Sequence, residues 1–278
     1  MTHDLSPAVK SYSSSTYHLL PMTHNLTELQ IKSSLDGSLE PVLFAPHENK
    51  QAPLLVGLHT WSADRFNQQK WTAFGEQYGW HLLLPEFRGP NLVTNPRATQ
   101  ACASELAQQD ILDAVAHVRG ELDHTGPVFL LGGSGGGHMS LMMAARAPEL
   151  WTAVSSWCPI TDLRKWRLQN PNYRPHIEAC CGGVPEDSEE IAQQYSARSP
   201  IDQLEGLSKA HVFIHHGKTD ASVPFTHTLE LYNALIAQYP DARVYSEIFP
   251  GTHECHSNRA VQWFADLLEK QQATELTG

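Results

Sequence analysis

The sequence predicts an α/β fold, a doubly wound and mostly parallel sheet with helices on both faces and a small lid insertion. Short apolar runs bounded by polar loops recur along the chain, as strands buried on both faces require. Segments of helical spacing alternate with them, the order that builds parallel strands through crossover helices. Ahead of the first such unit, two strand-like stretches flank Asp36-Gly37, a hairpin turn signal.

The elements follow in order. Residues 27–33 and 40–44 form the expected hairpin, and 53–59 is the first fully apolar strand. Further strands are expected over 80–84, 128–131, 153–157, 211–215 and 244–249, with helices over 65–78, 105–122, 138–146, 225–238 and 260–270. One stretch breaks the alternation: residues 159–200 are rich in Pro, Gly and charge and contain Trp166, Tyr173 and Cys180-Cys181. A connection that long carries structure or function of its own, so it is expected to be a lid of one or two helices over the strand ends. The whole of 1–278 reads as one domain, with 1–50 as the hairpin region and 159–200 as the insertion. Folds of this class reach about 250 residues as single units.

Composition bounds the partners. With 41% apolar and 18% charged residues the chain is globular. A formal charge of −11 argues against nucleic acid or an anionic membrane as partner, since both need basic patches. Residues 1–21 lack the basic start and apolar run of a secretory signal, and no run reaches membrane-spanning length. Five cysteines at irregular spacing do not make a disulfide framework, so a reducing cytoplasm is the expected compartment. The sequence carries no statement about oligomeric state.

The motif with the most chemistry is Gly132-Gly133-Ser134-Gly135-Gly136, placed between an apolar strand and an apolar helix. That context is the nucleophile elbow, a turn so tight that it strains the serine backbone and lifts the hydroxyl clear of the sheet. It leaves the Gly135 amide at a helix N-terminus, where an oxyanion would form. The run lacks the Lys-Ser/Thr ending of a P-loop and the downstream acid of a dinucleotide site, so no cofactor is expected. His138, just inside the helix, is expected to pack or cap.

A serine hydroxyl needs a base, and the base an orienting carboxylate, in the chain order Ser, acid, His. Asp220 is the only carboxylate in the loop after strand 211–215, and His253 follows the Pro250-Gly251 turn after strand 244–249. His256 competes as base but is expected to start the last helix. His253-Glu-Cys-His256 does not have the spacing of a His-Glu-x-x-His zinc motif, so no metal is expected. The second oxyanion donor belongs to the loop after the first buried strand, here the amide of Thr60 or Trp61, with His59 as a structural partner. Trp157 and Trp166 are the candidate substrate-binding residues of an apolar pocket.

Together these residues resemble the α/β-hydrolase superfamily, and within it the catalytic domain of the prolyl oligopeptidase clan and its stand-alone esterase relatives. The resemblance runs from about residue 53 to the C-terminus. It rests on Gly132-Gly-Ser-Gly-Gly136, Arg198-Ser-Pro200, His215-His-Gly-Lys-Thr-Asp-Ala-Ser-Val-Pro224, Leu231-Tyr-Asn-Ala-Leu235 and Pro250-Gly-Thr-His253. It implies a triad of Ser134, Asp220 and His253. Where the family often has Gly after the oxyanion-loop histidine, this chain has Thr60-Trp61, and its N-terminal segment has no room for the propeller of many peptidase members. The reading is therefore a carboxylesterase acting on a small-molecule ester substrate, with a peptidase of the same clan as alternative. An acyltransferase or a non-catalytic ligand-binding protein stands behind both.

Overall fold

In the computed structural model, residues 26–275 are described; the segment 1–21, read above for a signal, lies outside them. The strands are β1 (Thr27–Lys32), β2 (Leu39–Ala45), β3 (Leu54–Leu58), β4 (His81–Pro85), β5 (Val128–Gly133), β6 (Ala153–Trp157), β7 (Val212–Gly217) and β8 (Val244–Phe249). They form one sheet in the order β1-β2-β4-β3-β5-β6-β7-β8. The β1–β2 hairpin pairs antiparallel, β2 joins β4 antiparallel, and every later pairing is parallel. The strand at the reversal, β3, and its neighbours β4 and β5 are buried along their length, which is why they read as unbroken apolar runs.

The helices are α1 (Thr72–Tyr78), α2 (Glu105–Leu122), α3 (Gly135–Arg146), α4 (Leu163–Gln169), α5 (Arg174–Cys181), α6 (Glu189–Ala197), α7 (Leu204–Ser208), α8 (Thr226–Gln238) and α9 (Ser257–Glu275). Alternate strand residues face opposite layers. Val56, Leu58 and Leu130 pack with Ile111, Val115 and Met139 on one face, and Leu55, Phe129 and Leu131 with Trp71, Trp157 and Phe264 on the other. A third cluster joins Trp61 to the insertion through Trp166, Ile177, Tyr195 and Val223.

Two expectations are corrected. Residues 65–78 are not one helix: a 3-10 segment, Arg65–Trp71, precedes α1, broken where Gln68 takes φ −108° and ψ 16°. The break serves the neighbouring loop, because Asn67 Oδ1 accepts both the Thr60 amide (3.1 Å) and Gln68 Nε2 (3.0 Å). The insertion holds three helices, α4, α5 and α6, where one or two were expected. Each is too short for apolar periodicity to reveal it, although Asp162 and Ser188 cap two of them and Gly182 ends the third with φ 85°. Arg198 fastens the insertion to the body by donating to the carbonyls of Ala101 (2.9 Å) and Thr99 (3.0 Å), and braces the insertion itself through the Cys180 carbonyl (3.0 Å).

Candidate active site

Ser134 stands between β5 and α3 with φ 57° and ψ −120°, a left-handed conformation that a non-glycine residue holds only under constraint. The constraint comes from both sides. Its amide donates to the Trp157 carbonyl at 2.8 Å, and the turn closes so tightly that a Cβ on Gly132 would lie 2.1 Å from the Gly136 carbonyl oxygen. The same closeness fixes the oxyanion corner. A Cβ on Gly135 would sit 2.4 Å from the Trp61 backbone nitrogen, so the Trp61 amide abuts the residue after the serine. Of the two amides singled out from sequence, that of Thr60 is already bonded to Asn67; Trp61 supplies the one beside Gly135.

Asp220 lies in the loop after β7, and its two oxygens are divided between tasks. Oδ1 accepts the amides of Ser222 (2.8 Å) and Val223 (2.9 Å), and Oδ2 lies 2.6 Å from His253 Nδ1. A carboxylate there requires the proton on Nδ1 and leaves Nε2 as the acceptor. Two backbone bonds lace the acid loop to the base loop: Lys218 N–H to Phe249 O (2.8 Å) and Thr219 N–H to Gly251 O (2.9 Å). Glu254 Oε1 accepts from the Thr252 amide (3.1 Å) and hydroxyl (2.7 Å), bracing the residue before His253.

A second histidine reaches the same carboxylate, which the sequence reading did not foresee. His216 is fully buried, with Nε2 3.2 Å from Asp220 Oδ2 and 2.8 Å from the Val223 carbonyl. Both are acceptors, so Nε2 carries the proton, and Nδ1 accepts from Thr228 Oγ1 at 2.8 Å. Burial favours the protonated Asp220, but hydrogen bonds from His216, His253 and Val223 outweigh it and hold the carboxyl well below the usual carboxylate range.

Ser134 and His253 line one cavity of about 280 Å³, with Thr60, Trp61, Ser62, Gln68, Gly133, Cys158, Tyr173, Glu254 and Cys255. Among the described residues, that wall contains no Lys or Arg. The two tryptophans proposed from sequence as substrate-binding are not in it. Trp157 is core, stacked on His215 at 4.0 Å with Nε1 bonded to Ser155 Oγ, because its strand position turns it to the α9 face. Trp166 stands one layer behind, packed against Trp61 (4.9 Å) and Tyr173 (4.8 Å). The insertion meets the cavity through Tyr173.

The other histidines weighed from the sequence, His256, His138 and His59, fall into structural places. His256 precedes α9, is half-buried, lies 3.4 Å from Glu254 and edges onto Trp157 at 5.4 Å. His138 is buried with Nε2 2.6 Å from the Arg198 carbonyl, and burial pushes it down to about 4. His59 spans the carbonyls of Thr60 (2.9 Å) and Glu86 (2.8 Å) and stacks on Phe87. Among the described residues, Cys158, His216 and Asp220 bring donor atoms within 4.8 Å of one another, the spacing of a metal site. Asp220 Oδ2 is committed to two imidazoles there, and burial pushes the Cys158 thiol up to about 12, so a cation would have to displace the His253 bond.

Comparison with known proteins bears on the family and the fold. The sequence profile of the prolyl oligopeptidase family matches residues 100–271. The acylamino-acid-releasing enzyme of Rattus norvegicus is 25% identical over 229 residues, covering 75% of this chain and 30% of that protein. Acylaminoacyl peptidase from Pyrococcus horikoshii superposes with a TM-score of 0.68 at 17% identity, over 88% of this chain and 41% of the other. An acylaminoacyl peptidase in complex with Z-Gly-Gly-Phe-chloromethyl ketone gives 0.66 at 18% identity, over the same shares. The sheet and helices are those of the α/β-hydrolase fold these peptidases share. The chain thus spans less than half the length of the relatives it matches.

Proposed function

From the premise that the chain belongs to the prolyl oligopeptidase family, we propose that it is a serine peptidase, cleaving an amide bond on the carbonyl side of an uncharged residue. The observation that carries this reading is the meeting of Ser134, on its strained turn, and His253, bonded to Asp220 at 2.6 Å, in one cavity. Family and relatives support the peptidase alternative over the carboxylesterase expected from sequence.

In this mechanism Ser134 Oγ attacks the scissile carbonyl and His253 Nε2 takes its proton. Asp220 steadies the imidazolium. The amides of Gly135 and Trp61 receive the oxyanion, and each such donor contributes roughly 2.7–4 kcal/mol. His253 then returns the proton to the leaving amine, and water repeats the sequence to free the acid. Among the described residues the wall has no cation to receive a carboxylate, and the ring of Tyr173 suits an apolar, blocked residue, as in the acylated substrates after which the relatives are named.

The test is a matched pair: the p-nitroanilide and the p-nitrophenyl ester of one N-acetylated apolar amino acid. Turnover of both, abolished together by Ser134→Ala, is expected. Turnover of the ester alone would return the carboxylesterase reading.

A further inference from the structure

Beside the apolar packing of Val223, two hydrogen bonds from the insertion converge on one atom of the acid loop, and that atom is saturated. The Ser222 carbonyl oxygen accepts Trp166 Nε1 (2.9 Å) and Asn170 Nδ2 (3.0 Å), both from the α4 end of the insertion. Two donors fill the two lone pairs of a carbonyl. The nitrogen end of that same peptide is the Val223 amide, which bonds Asp220 Oδ1 at 2.9 Å, beside the Ser222 amide at 2.8 Å. The Ser222–Val223 peptide is therefore held on one side by the insertion and holds the acid on the other.

The frame behind this contact is itself fixed. Asp162 caps α4 by accepting the amides of Arg164 and Lys165. Lys165 pairs with Glu230 of α8, and the neighbouring Gln169 bonds His227 of α8 at 2.9 Å. The His227 ring in turn meets the Thr161 amide and hydroxyl at 3.2 Å. Trp166 is 1% exposed, closed in by Trp61 and Tyr173. Nothing in this arrangement resembles a flap. It is a bracket that joins α8, the insertion and the acid loop.

We propose that Trp166 and Asn170 are positioning residues: through Ser222 they keep the Asp220 carboxylate in register with His253, so that the insertion governs the rate of the chemical step as well as bounding the pocket. This rests on the serine-hydrolase reading given above. Without the two donors the Ser222–Val223 peptide is free to turn, the Asp220 Oδ1 bond loosens, and the Oδ2–Nδ1 contact lengthens with it. Orientation lost this way lowers turnover for every substrate alike.

The test uses Asn170→Leu, which removes one donor at nearly constant volume, Trp166→Phe, which removes the other together with part of the indole, and the double variant. For each, kcat and KM are measured with two N-acetylated amino-acid nitroanilides of different size, and the far-downfield proton resonance of His253 Nδ1–H is recorded without substrate. We expect kcat to fall roughly tenfold in the double variant, about the effect of losing one to two net hydrogen bonds. KM and the substrate ranking should stay within twofold, and the resonance should shift upfield or broaden. If KM or the ranking changes while kcat and the resonance hold, the two residues shape the pocket only and the proposal is overturned. Wild-type behaviour throughout overturns it equally. Should Ser134→Ala remain active, the hydrolase reading fails instead, and the resonance, which needs no turnover, still decides whether α4 positions Asp220. Asn170→Leu alone decides it if the double variant does not fold.

Discussion

His216 Nε2 stands 3.2 Å from Asp220 Oδ2, the oxygen that also takes the His253 bond. Asp220 thus collects four donors, two amides and two imidazoles, in a buried site. The arrangement makes its ionised form part of the folded state, so the site's chemistry and the protein's acid stability share one group.

His216→Phe removes one of those donors. A hydrogen bond to a charged group contributes roughly 1.5–3 kcal/mol, and unfolding by guanidinium at pH 7 should show a loss of that order. The folded Asp220 carboxyl lies below its unfolded value. Its stabilisation is therefore present above about pH 3.9 and is lost as pH falls through that value toward the folded one. With less depression, the variant should lose less than the parent between pH 5 and 3. An acid dependence equal to the parent's would mean that His216 does not act on Asp220.

Ser134→Gly separates catalysis from strain. Turnover should fall on the order of 10⁶-fold, as when a serine nucleophile is deleted. Stability should rise, because φ 57° with ψ −120° costs a serine on the order of 1–3 kcal/mol that glycine does not incur. A denaturant midpoint below that of the parent would show that the serine is not strained in solution.

Gly135→Ala addresses the oxyanion corner. Its methyl would arrive 2.4 Å from the Trp61 nitrogen and must push the two amides apart. A loss of roughly 10²–10³ in kcat is expected, the scale of one lost oxyanion donor, with KM little changed. Asn67→Ala, which frees the Thr60 amide and Gln68 Nε2 and leaves the Trp61 amide in place, should cost far less. The reverse order of the two effects would reassign the donor to Thr60.

Buried histidines set a second pH window. Burial pushes His138 and His215 down to about 4 and His227 to about 3, from an ordinary value near 6.5. Below that value the unfolded chain gains these protons and the folded chain does not, so stability falls as pH drops from about 6.5 toward 4. Each group adds a slope of up to about 1.4 kcal/mol per pH unit. Guanidinium melts at pH 7, 6 and 5 measure this; equal stability at all three would show that these rings are not held neutral.

How much of this was legible in the sequence depends on where the determining force lies. Strand 153–157 is legible to its ends because it is buried along its length, and 244–249 is legible although it is an edge strand that buries only Val244 and Phe249. Ser134, Asp220 and His253 were assigned by chain order and loop position, which the alternation of strands and helices dictates. Trp157 and Trp166 were misplaced because their surroundings come from partners far away in sequence, His215 for one and Ser222 for the other. The same holds for the choice between Thr60 and Trp61, which turns on Asn67 and a broken helix. His216 was quoted within a motif, yet nothing local announces that its ring turns toward Asp220. Only the i,i+4 spacing of the pair hinted at it.

Residues 159–200 enter and leave the body at the ends of the sheet, an invitation to exchange them for the corresponding segment of another hydrolase and so transplant a new specificity. The doubly bonded Ser222 carbonyl limits that freedom. A graft chosen for its pocket alone would bring a new wall and leave the acid loop without its outer support. Successful chimeras of this chain should be those whose donor segment offers two N–H groups at the places of Trp166 and Asn170, whatever side chain replaces Tyr173. Selection for altered substrate range would then act on the tip of the insertion and leave its root unchanged.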